Sequence, residues 1–314
     1  RVLFRSPKVF WHEATGRWVM GVACGDHIAF YTSLDLKNWA LKSRFGHTAG
    51  AHEGVWECPD LVALKLHGRE RWVLLVSVTL GGPQKGSATQ YFVGDFDGQN
   101  FTAEHTDTRW LDWGADNYAG VTWSNTPGRA VFMGWMSNWL YAAKLPTSPW
   151  RGAMTLPREL QLREMDGHAW LCTPVAAEIE SAFQSGSVIQ IQTSHDLSQA
   201  LANSQGRCRL TLTADAATSW ALQLSNAQGD IWRLHYNPET RQFGVDRTMA
   251  GQSDFHPEFA ACHLAPRFAH SSVIHLQVYL DACLMETIAD DGLSAITSLS
   301  FPSSTWTGIE REGN

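Results

Sequence analysis

We predict an all-β fold for this chain, a β-propeller followed by a β-sandwich, from three observations. Short apolar runs alternate with turn residues, and no long apolar stripe has the 3.6-residue period of a helix. A strand-and-turn pattern recurs after roughly sixty residues, which fits one four-stranded propeller blade with its loops. Tryptophan is concentrated in the N-terminal part of the chain, with 12 of the 15 Trp before residue 171. This shift indicates two domains, 1–178 and 179–314.

The composition sets the broad class of protein. With 314 residues, 44% hydrophobic and 18% charged, the chain can bury one or two cores. A net charge of −7 without a basic cluster argues against nucleic-acid binding. No run approaches the roughly 20 apolar residues that span a bilayer, and no signal-peptide pattern opens the chain. Because the chain begins with Arg1 rather than Met, we expect a fragment or a processed product.

The first domain is predicted as short strands separated by turns. The strand candidates are Lys8–His12, Trp18–Cys24, Ile28–Thr32, Val62–Leu66, Trp72–Thr79 and Gln90–Gly94. The recurring pattern pairs Ala29–Trp39 with Gln90–Phe101, each a strand, an acidic turn and an aromatic strand start. The density of Trp fits two interpretations that the sequence leaves open. Aromatic faces stack on sugar rings, and they also fill the core of an all-β domain.

The second domain shows alternating strands with few Trp residues. Its strand candidates are Ser187–Gln192, Arg207–Thr213, Ile231–Tyr236, Val273–Leu280 and Ser294–Phe301. Turn residues such as those of 290–292 separate them, which is typical of a β-sandwich. We expect the junction between the domains at Glu178–Gly186. The six cysteines form no Cys-x-x-Cys pair, so neither a zinc site nor a disulfide framework is indicated.

Several motifs resemble those of one enzyme family. Arg5–Trp11 (RSPKVFW) and Trp56–Leu61 (WECPDL) resemble two signature blocks of glycoside hydrolase family 32, the β-fructosidases that include invertases, levanases and inulinases. Asp112–Ala119, Gly134–Trp139 and Pro149–Leu160 are similar to segments of levanases and exo-inulinases. The resemblance covers nearly the whole chain. It implies a five-bladed propeller, with the first blade largely missing here so that about four remain, and a C-terminal β-sandwich.

The resemblance also implies the catalytic residues. Retaining glycosidases need a carboxylate nucleophile and a carboxylic acid roughly 5 Å apart. Glu57 matches the acid/base of the family, and its place at the head of an apolar strand predicts that it is buried. Ser6 stands where the family has the Asp that stabilises the transition state. No residue matches the nucleophile, because the family's first block, with its Asn-Asp-Pro core, has no counterpart in this sequence.

Five further residues are implied as substrate-binding. Arg5 matches the Arg beside the transition-state Asp, Cys58 a cysteine of the pocket, and Trp139 a tryptophan that lines the fructose site. Asp116 and Tyr118 are expected in the pocket wall, with a purely structural role left open for both. The mechanism requires no metal and no cofactor. The expected partners are fructan, sucrose or another fructosyl-containing carbohydrate, and neither nucleic acid nor a membrane.

The resemblance implies a glycoside hydrolase that releases terminal fructose from fructans or sucrose with retention. We expect this activity to be impaired in the chain, since Ser6 replaces an Asp and the nucleophile is missing. One alternative is a catalytically inactive carbohydrate-binding or interaction protein derived from the family. Another is a fructosyltransferase, which would use the same acid and nucleophile. A polymeric fructan substrate would favour a secreted or periplasmic location, and the sequence sets no oligomeric state.

Overall fold

Antiparallel β-sheets make up most of the protein, as the sequence predicts. The computed structural model describes residues 4–184 and 194–312. In this part of the chain no helix has the length and apolar composition needed to cross a bilayer. The strands form the sheets of a propeller and then the two sheets of a sandwich.

The first propeller sheet has four strands in chain order, each antiparallel to the next. They are β1 Phe4–His12, β2 Arg17–Cys24, β3 Ile28–Ser33 and β4 Ala40–Phe45. The second sheet repeats this order and adds a fifth strand that pairs with the third. Its strands are β5 Trp56–Leu66, β6 Arg69–Val78, β7 Ala88–Phe96, β8 Phe101–Ala103 and β9 Arg109–Trp110.

The third sheet is shorter and is followed by a separate hairpin. Its strands are β10 Tyr118–Thr122, β11 Val131–Met136, β12 Ala153–Met154 and β13 Arg158–Glu159, with both β12 and β13 on β11. The hairpin consists of β14 Gln161–Met165 and β15 His168–Cys172. Within residues 4–184, three sheets and a hairpin thus occupy the place of the roughly four blades that the sequence predicts.

The predicted internal repeat is confirmed. Its two copies are the third-to-fourth-strand connections of the first and second sheets. In the first copy, Asp35 accepts hydrogen bonds from the backbone N–H groups of Lys37 and Asn38, at 2.9 and 2.8 Å. In the second, Asp97 accepts the equivalent bonds at 2.8 and 2.6 Å. A short acidic side chain in each turn therefore closes the same loop, which explains why the pattern recurs.

Two helices follow the hairpin, α1 Ala177–Gln184 and α2 Ser194–Asn203. The predicted junction, Glu178–Gly186, is therefore helical over its described residues. The predicted strand Ser187–Gln192 lies outside the described residues. The division at residue 178 stays a prediction.

Over its described residues, the sandwich consists of one four-stranded and one five-stranded sheet. The strands are β16 Cys208–Asp215, β17 Trp220–Ser225, β18 Ile231–Asn237, β19 Gln242–Met249, β20 Cys262–Pro266, β21 Val273–Asp281, β22 Leu284–Ala289, β23 Ser294–Leu299 and β24 Gly308–Glu312. One sheet has the order β16-β21-β22-β23, and the other β20-β19-β18-β17-β24. Between them lies an apolar core that contains Trp220, Trp232 and Trp306.

The propeller sheets pack through apolar faces of their own. Trp56, Trp72 and Phe92 belong to a core between the first and second sheets. Tyr91 and Phe132 belong to a second core that joins the second sheet to the third and to the hairpin. These cores fix the relative positions of the sheets, and with them the first strand of each sheet.

Candidate active site

The first strands of the three propeller sheets lie side by side and share one irregularity. In each strand the register against the neighbouring strand shifts just after one polar residue. These residues are Arg5 in β1, Glu57 in β5 and Tyr118 in β10. Such a bulge bends the strand and redirects the side chain beside it. The three side chains consequently meet at one end of the three strands.

The bulges have a common backbone conformation. Ser6, Cys58 and Ala119, each directly after the polar residue, have φ of 54°, 46° and 52°. This left-handed region is uncommon for residues other than glycine, and such conformations cluster at functional sites. Pro follows the bulge residue in β1 and β5 and fixes the next backbone angle.

Glu57 is the centre of the cluster. Its side chain is buried, as the sequence predicts, with 6% of the residue exposed. The hydroxyl of Tyr118 donates a hydrogen bond to Oε2. Nη1 of Arg5 lies 2.5 Å from Oε1. The surroundings of Glu57 are therefore polar on two sides, with both carboxyl oxygens held in place.

The Tyr118 hydroxyl is suited to act as a permanent donor. Burial raises its pKa, and the hydrogen bond to Glu57 raises it further. The phenol therefore keeps its proton across the working range of most enzymes and orients the carboxyl group. Unlike Tyr118, which is buried, Arg5 has half of its side chain exposed. The Arg5 side chain is therefore partly accessible to a ligand.

An aromatic wall stands beside the cluster. The ring of Tyr118 lies 6.3 Å from that of Trp135, which lies 5.2 Å from that of Trp139. Trp139 is 59% exposed, and its backbone N–H donates to Oγ of Ser87. An exposed indole face next to a buried carboxyl group can stack on the C–H face of a sugar while the carboxyl group reaches its oxygens. Trp135 was not identified from the sequence.

Ser6 and Cys58 complete the floor of the cluster. The Cys58 thiol lies 3.9 Å from Oγ of Ser6 and donates to it. Burial raises the pKa of this thiol, so it stays protonated at neutral pH. Cys58 is thus a neutral neighbour of Glu57 rather than a nucleophile.

Asp116 lies elsewhere. It is fully buried, and its carboxylate accepts hydrogen bonds from Tyr141, Arg247 and the backbone N–H of Leu299. Two of these partners belong to the sandwich. All of this places the side chain at the contact between propeller and sandwich, so we assign Asp116 a structural role instead of a place in the pocket wall.

A second polar layer, not identified from the sequence, supports the site. Lys8 Nζ lies 3.1 Å from the fully buried Asp60, which also accepts bonds from the backbone N–H and the hydroxyl of Thr122. The sequence contains a pattern that indicates this polar layer. A charged residue follows the Pro in both RSPK and ECPD, so the two strands place side chains at matching positions. This layer ties β1, β5 and β10 together close in sequence to Arg5, Glu57 and Tyr118.

Family models match both parts of the chain. The model "Glycosyl hydrolases family 32 N-terminal domain" matches residues 2–174. The model "Glycosyl hydrolases family 32 C terminal" matches residues 178–313.

Curated relatives agree with these matches. A levanase of Bacillus subtilis is 36% identical over 326 residues, covering 98% of this chain and 48% of the levanase. An extracellular exo-inulinase of Aspergillus awamori is 34% identical, covering 96% of this chain and 60% of that protein. The chain thus spans about half to three fifths of the length of these relatives.

Solved structures share the fold. The crystal structure of exo-inulinase from Aspergillus awamori has a TM-score of 0.82 and 29% identity, covering 98% of this chain and 66% of that one. A β-fructofuranosidase from Schwanniomyces occidentalis, complexed with fructosyl-erythritol, has a TM-score of 0.80 and 25% identity at the same coverage. By sequence and by structure, this chain belongs to glycosyl hydrolase family 32.

Proposed function

We propose that this chain belongs to a β-fructosidase, a glycosidase that releases terminal fructose from levan, inulin or sucrose with retention. The observation that carries the proposal is the environment of Glu57. A buried carboxyl group is held by Tyr118 and Arg5, and the ring of Tyr118 begins an aromatic row that leads through Trp135 to the exposed Trp139. The names of the relatives, levanase, exo-inulinase and β-fructofuranosidase, support a fructosyl substrate.

Each member of the cluster has a proposed role. When a carboxylate nucleophile attacks the anomeric carbon, Glu57 donates a proton to the glycosidic oxygen that leaves, and it later takes a proton from the water that displaces the nucleophile. Tyr118 holds the carboxyl group in the orientation for that transfer. Arg5 binds a sugar hydroxyl through its partly exposed side chain, and Trp139 stacks on the sugar ring. Ser6 and the thiol of Cys58 line the floor of the pocket.

We also propose that the chain by itself works slowly. Retention requires a second carboxylate about 5 Å from the acid. Among residues 4–184 and 194–312, Glu57 is the one carboxylate that forms an ion pair or a hydrogen bond with Arg5 or Tyr118. Asp60 is already engaged by Lys8 and Thr122, so we do not assign it the role of the second carboxylate. Ser6 supplies a neutral hydroxyl where the family has a carboxylate, and charge-assisted hydrogen bonds are roughly twice as strong as neutral ones.

A carbohydrate-binding protein without activity is the second candidate. It is favoured by Ser6, which stands where the family has a catalytically important Asp. The two candidates differ in a direct assay. The rate of fructose release from levan, inulin and sucrose is measured for the chain alone and for an extended protein carrying a family segment with an Asn-Asp-Pro core before residue 1. We expect release by the extended protein, with the β-anomer of fructose as the first product by NMR.

Glu57→Gln in the extended protein should abolish release while sugar binding persists. Glu53→Gln is the matched control, since Glu53 is an exposed glutamate four residues earlier. If the folded extended protein binds fructan yet releases no fructose, the binding-protein candidate is correct. If the Glu57→Gln variant releases fructose as fast as the unsubstituted extended protein, Glu57 is not the acid/base.

A further inference from the structure

Asp26, His27 and His47 form a cluster at the rim of the first propeller sheet. Nδ1 of His27 lies 2.8 Å from Oδ1 of Asp26, and Nδ1 of His47 lies 3.2 Å from Oδ2. The candidate ligand atoms of the three residues all lie within 4.8 Å of one another. We propose that this cluster binds a divalent first-row transition ion, with Zn²⁺ as its simplest probe.

The backbone holds the first two ligands in place. Asp26 and His27 form the turn between β2 and β3, and the carbonyl of His27 accepts a bond of 2.8 Å from the N–H of Cys24. The carbonyl of Gly25 accepts a bond of 2.7 Å from the N–H of Trp56. The turn is therefore tied to the strand that carries Glu57.

His47 is held by a different contact. It follows Gly46, which has a φ of 119°. A Cβ on Gly46 would lie 2.3 Å from the ring of Trp56, so glycine is required at this close approach. The segment after β4 is thus pressed against Trp56, and this brings the ring of His47 to 4.1 Å from that of His27. Little reorganisation would be needed to place both nitrogens on one ion.

The ligand chemistry selects the ion. Two imidazoles and one carboxylate suit Zn²⁺, Cu²⁺ or Ni²⁺, whereas Mg²⁺ and Ca²⁺ prefer oxygen ligands. For Zn–N and Zn–O bonds of about 2.0–2.1 Å, tetrahedral ligand atoms lie about 3.3 Å apart. The Nδ1 atoms lie 2.8 Å from Oδ1 and 3.2 Å from Oδ2 of Asp26, close to this spacing, and one ligand atom of each residue lies within 4.8 Å of the others. A neutral imidazole would move its proton to Nε2 on binding, and a charged one would release it to solvent.

The cluster is accessible to an ion. The side chains of Asp26 and His47 are 61% and 52% exposed, while that of His27 is 13% exposed. Three protein ligands leave a position for water. The proposed ion is not part of fructose release. It would join the β2–β3 turn to the segment after β4, next to Trp56, and so stabilise this rim of the first propeller sheet.

The test is a titration of the chain, made without a histidine tag, with ZnCl2 in a calorimeter. We expect one saturable Zn²⁺ per chain and a higher melting temperature with Zn²⁺ than with EDTA. Losing a ligand should weaken binding by at least about tenfold, since even outer-sphere changes have effects of that size. His27→Ala and His47→Ala should each show this loss together with the loss of the thermal shift.

Matched controls are His67→Ala and His270→Ala. Each removes a histidine that pairs with a single carboxylate, Glu164 or Asp166, and should leave Zn²⁺ affinity unchanged. Cys262→Ser controls for the exposed thiol. All variants are compared in EDTA by circular dichroism to confirm that they are folded. The proposal is overturned if no saturable binding occurs, or if the control variants weaken binding as much as the ligand variants.

A Co²⁺ titration identifies the donor atoms. Imidazole and carboxylate ligands should give visible d–d bands without the intense near-ultraviolet charge-transfer band of a thiolate. A thiolate band that disappears in Cys262→Ser would move the ion to that cysteine and would contradict the assignment to Asp26, His27 and His47.

Discussion

Asp116 of the propeller and Arg247 of the sandwich form an ion pair of 2.7 Å in which both side chains are fully buried. Tyr141 donates to the same carboxylate and accepts a bond from Arg247. The guanidinium also lies over the ring of Phe259, 3.8 Å from its centroid. A buried pair of this kind contributes little net stability when intact, yet removing one partner leaves an uncompensated charge.

Asp116→Ala should therefore lower the free energy of unfolding by about 3–5 kcal/mol. The measurement is urea denaturation followed by tryptophan fluorescence. Asp281→Ala is the control, because its ion pair with Arg207 is 63% exposed on both sides and should contribute less than about 1 kcal/mol. Equal effects of the two substitutions would contradict the proposed interdomain role of Asp116.

Trp139→Ala should weaken fructan binding by about 1–3 kcal/mol, because an exposed stacking surface beside Glu57 is lost. Calorimetry with a fructan oligosaccharide measures this change. Trp123→Ala is the matched control. Trp123 is also half exposed but directly follows the other end of β10, away from Tyr118. If the folded Trp139→Ala variant binds with unchanged affinity, Trp139 does not contact the sugar.

Ser6→Asp should raise fructose release by the extended protein about a hundredfold, corresponding to about 3 kcal/mol of transition-state stabilisation. The backbone favours this change, since Asp tolerates the left-handed conformation at φ 54° better than most residues. In the chain alone the substitution should not restore activity, because a sugar contact cannot replace a nucleophile. Initial rates at saturating sucrose measure both effects, and a loss of rate in the extended protein would contradict the assigned position of Ser6.

Stability should fall as the pH drops below about 6.5, in part because of His263. Burial holds the pKa of this fully buried imidazole well below 6.5, and the charge of Arg247 lowers it further. The unfolded chain binds a proton below about pH 6.5 while the folded protein does not, so stability is present above that pH and lost below it.

His263→Gln should reduce the slope of unfolding free energy against pH by up to about 1.4 kcal/mol per pH unit between pH 6.5 and 5. Urea denaturation at a series of pH values gives the slope. The exposed His67→Gln serves as the control and should leave it unchanged. An unaltered slope for His263→Gln would show that His263 is protonated in the folded protein.

The sequence was most informative where function depends on short local patterns. Strand candidates such as Lys8–His12 and Ile28–Thr32 fall within β1 and β3, because alternation and turn residues act over a few positions. The repeat of Asp35 and Asp97 was visible for the same reason. Glu57 was identified by the motif around it, and its burial follows from its place at the head of β5.

The sequence did not reveal that two residues of the same motif lie at different places in the structure. Asp116 and Tyr118 lie two positions apart, yet one contacts the sandwich and the other Glu57. The difference arises because β10 begins only at Tyr118, so Asp116 precedes the strand. No pattern within the segment indicates this, since the partner Arg247 lies 131 residues further along the chain.

The sequence by itself thus determined the β-rich fold, the two kinds of domain, the family and the acid candidate, because propensity, period and motif are local properties. Only the tertiary structure decided which side chains meet. The bulges at Ser6, Cys58 and Ala119 bring Arg5, Glu57 and Tyr118 together. These contacts join strands far apart in sequence, and their geometry depends on how the packed cores between the sheets set the position of each first strand.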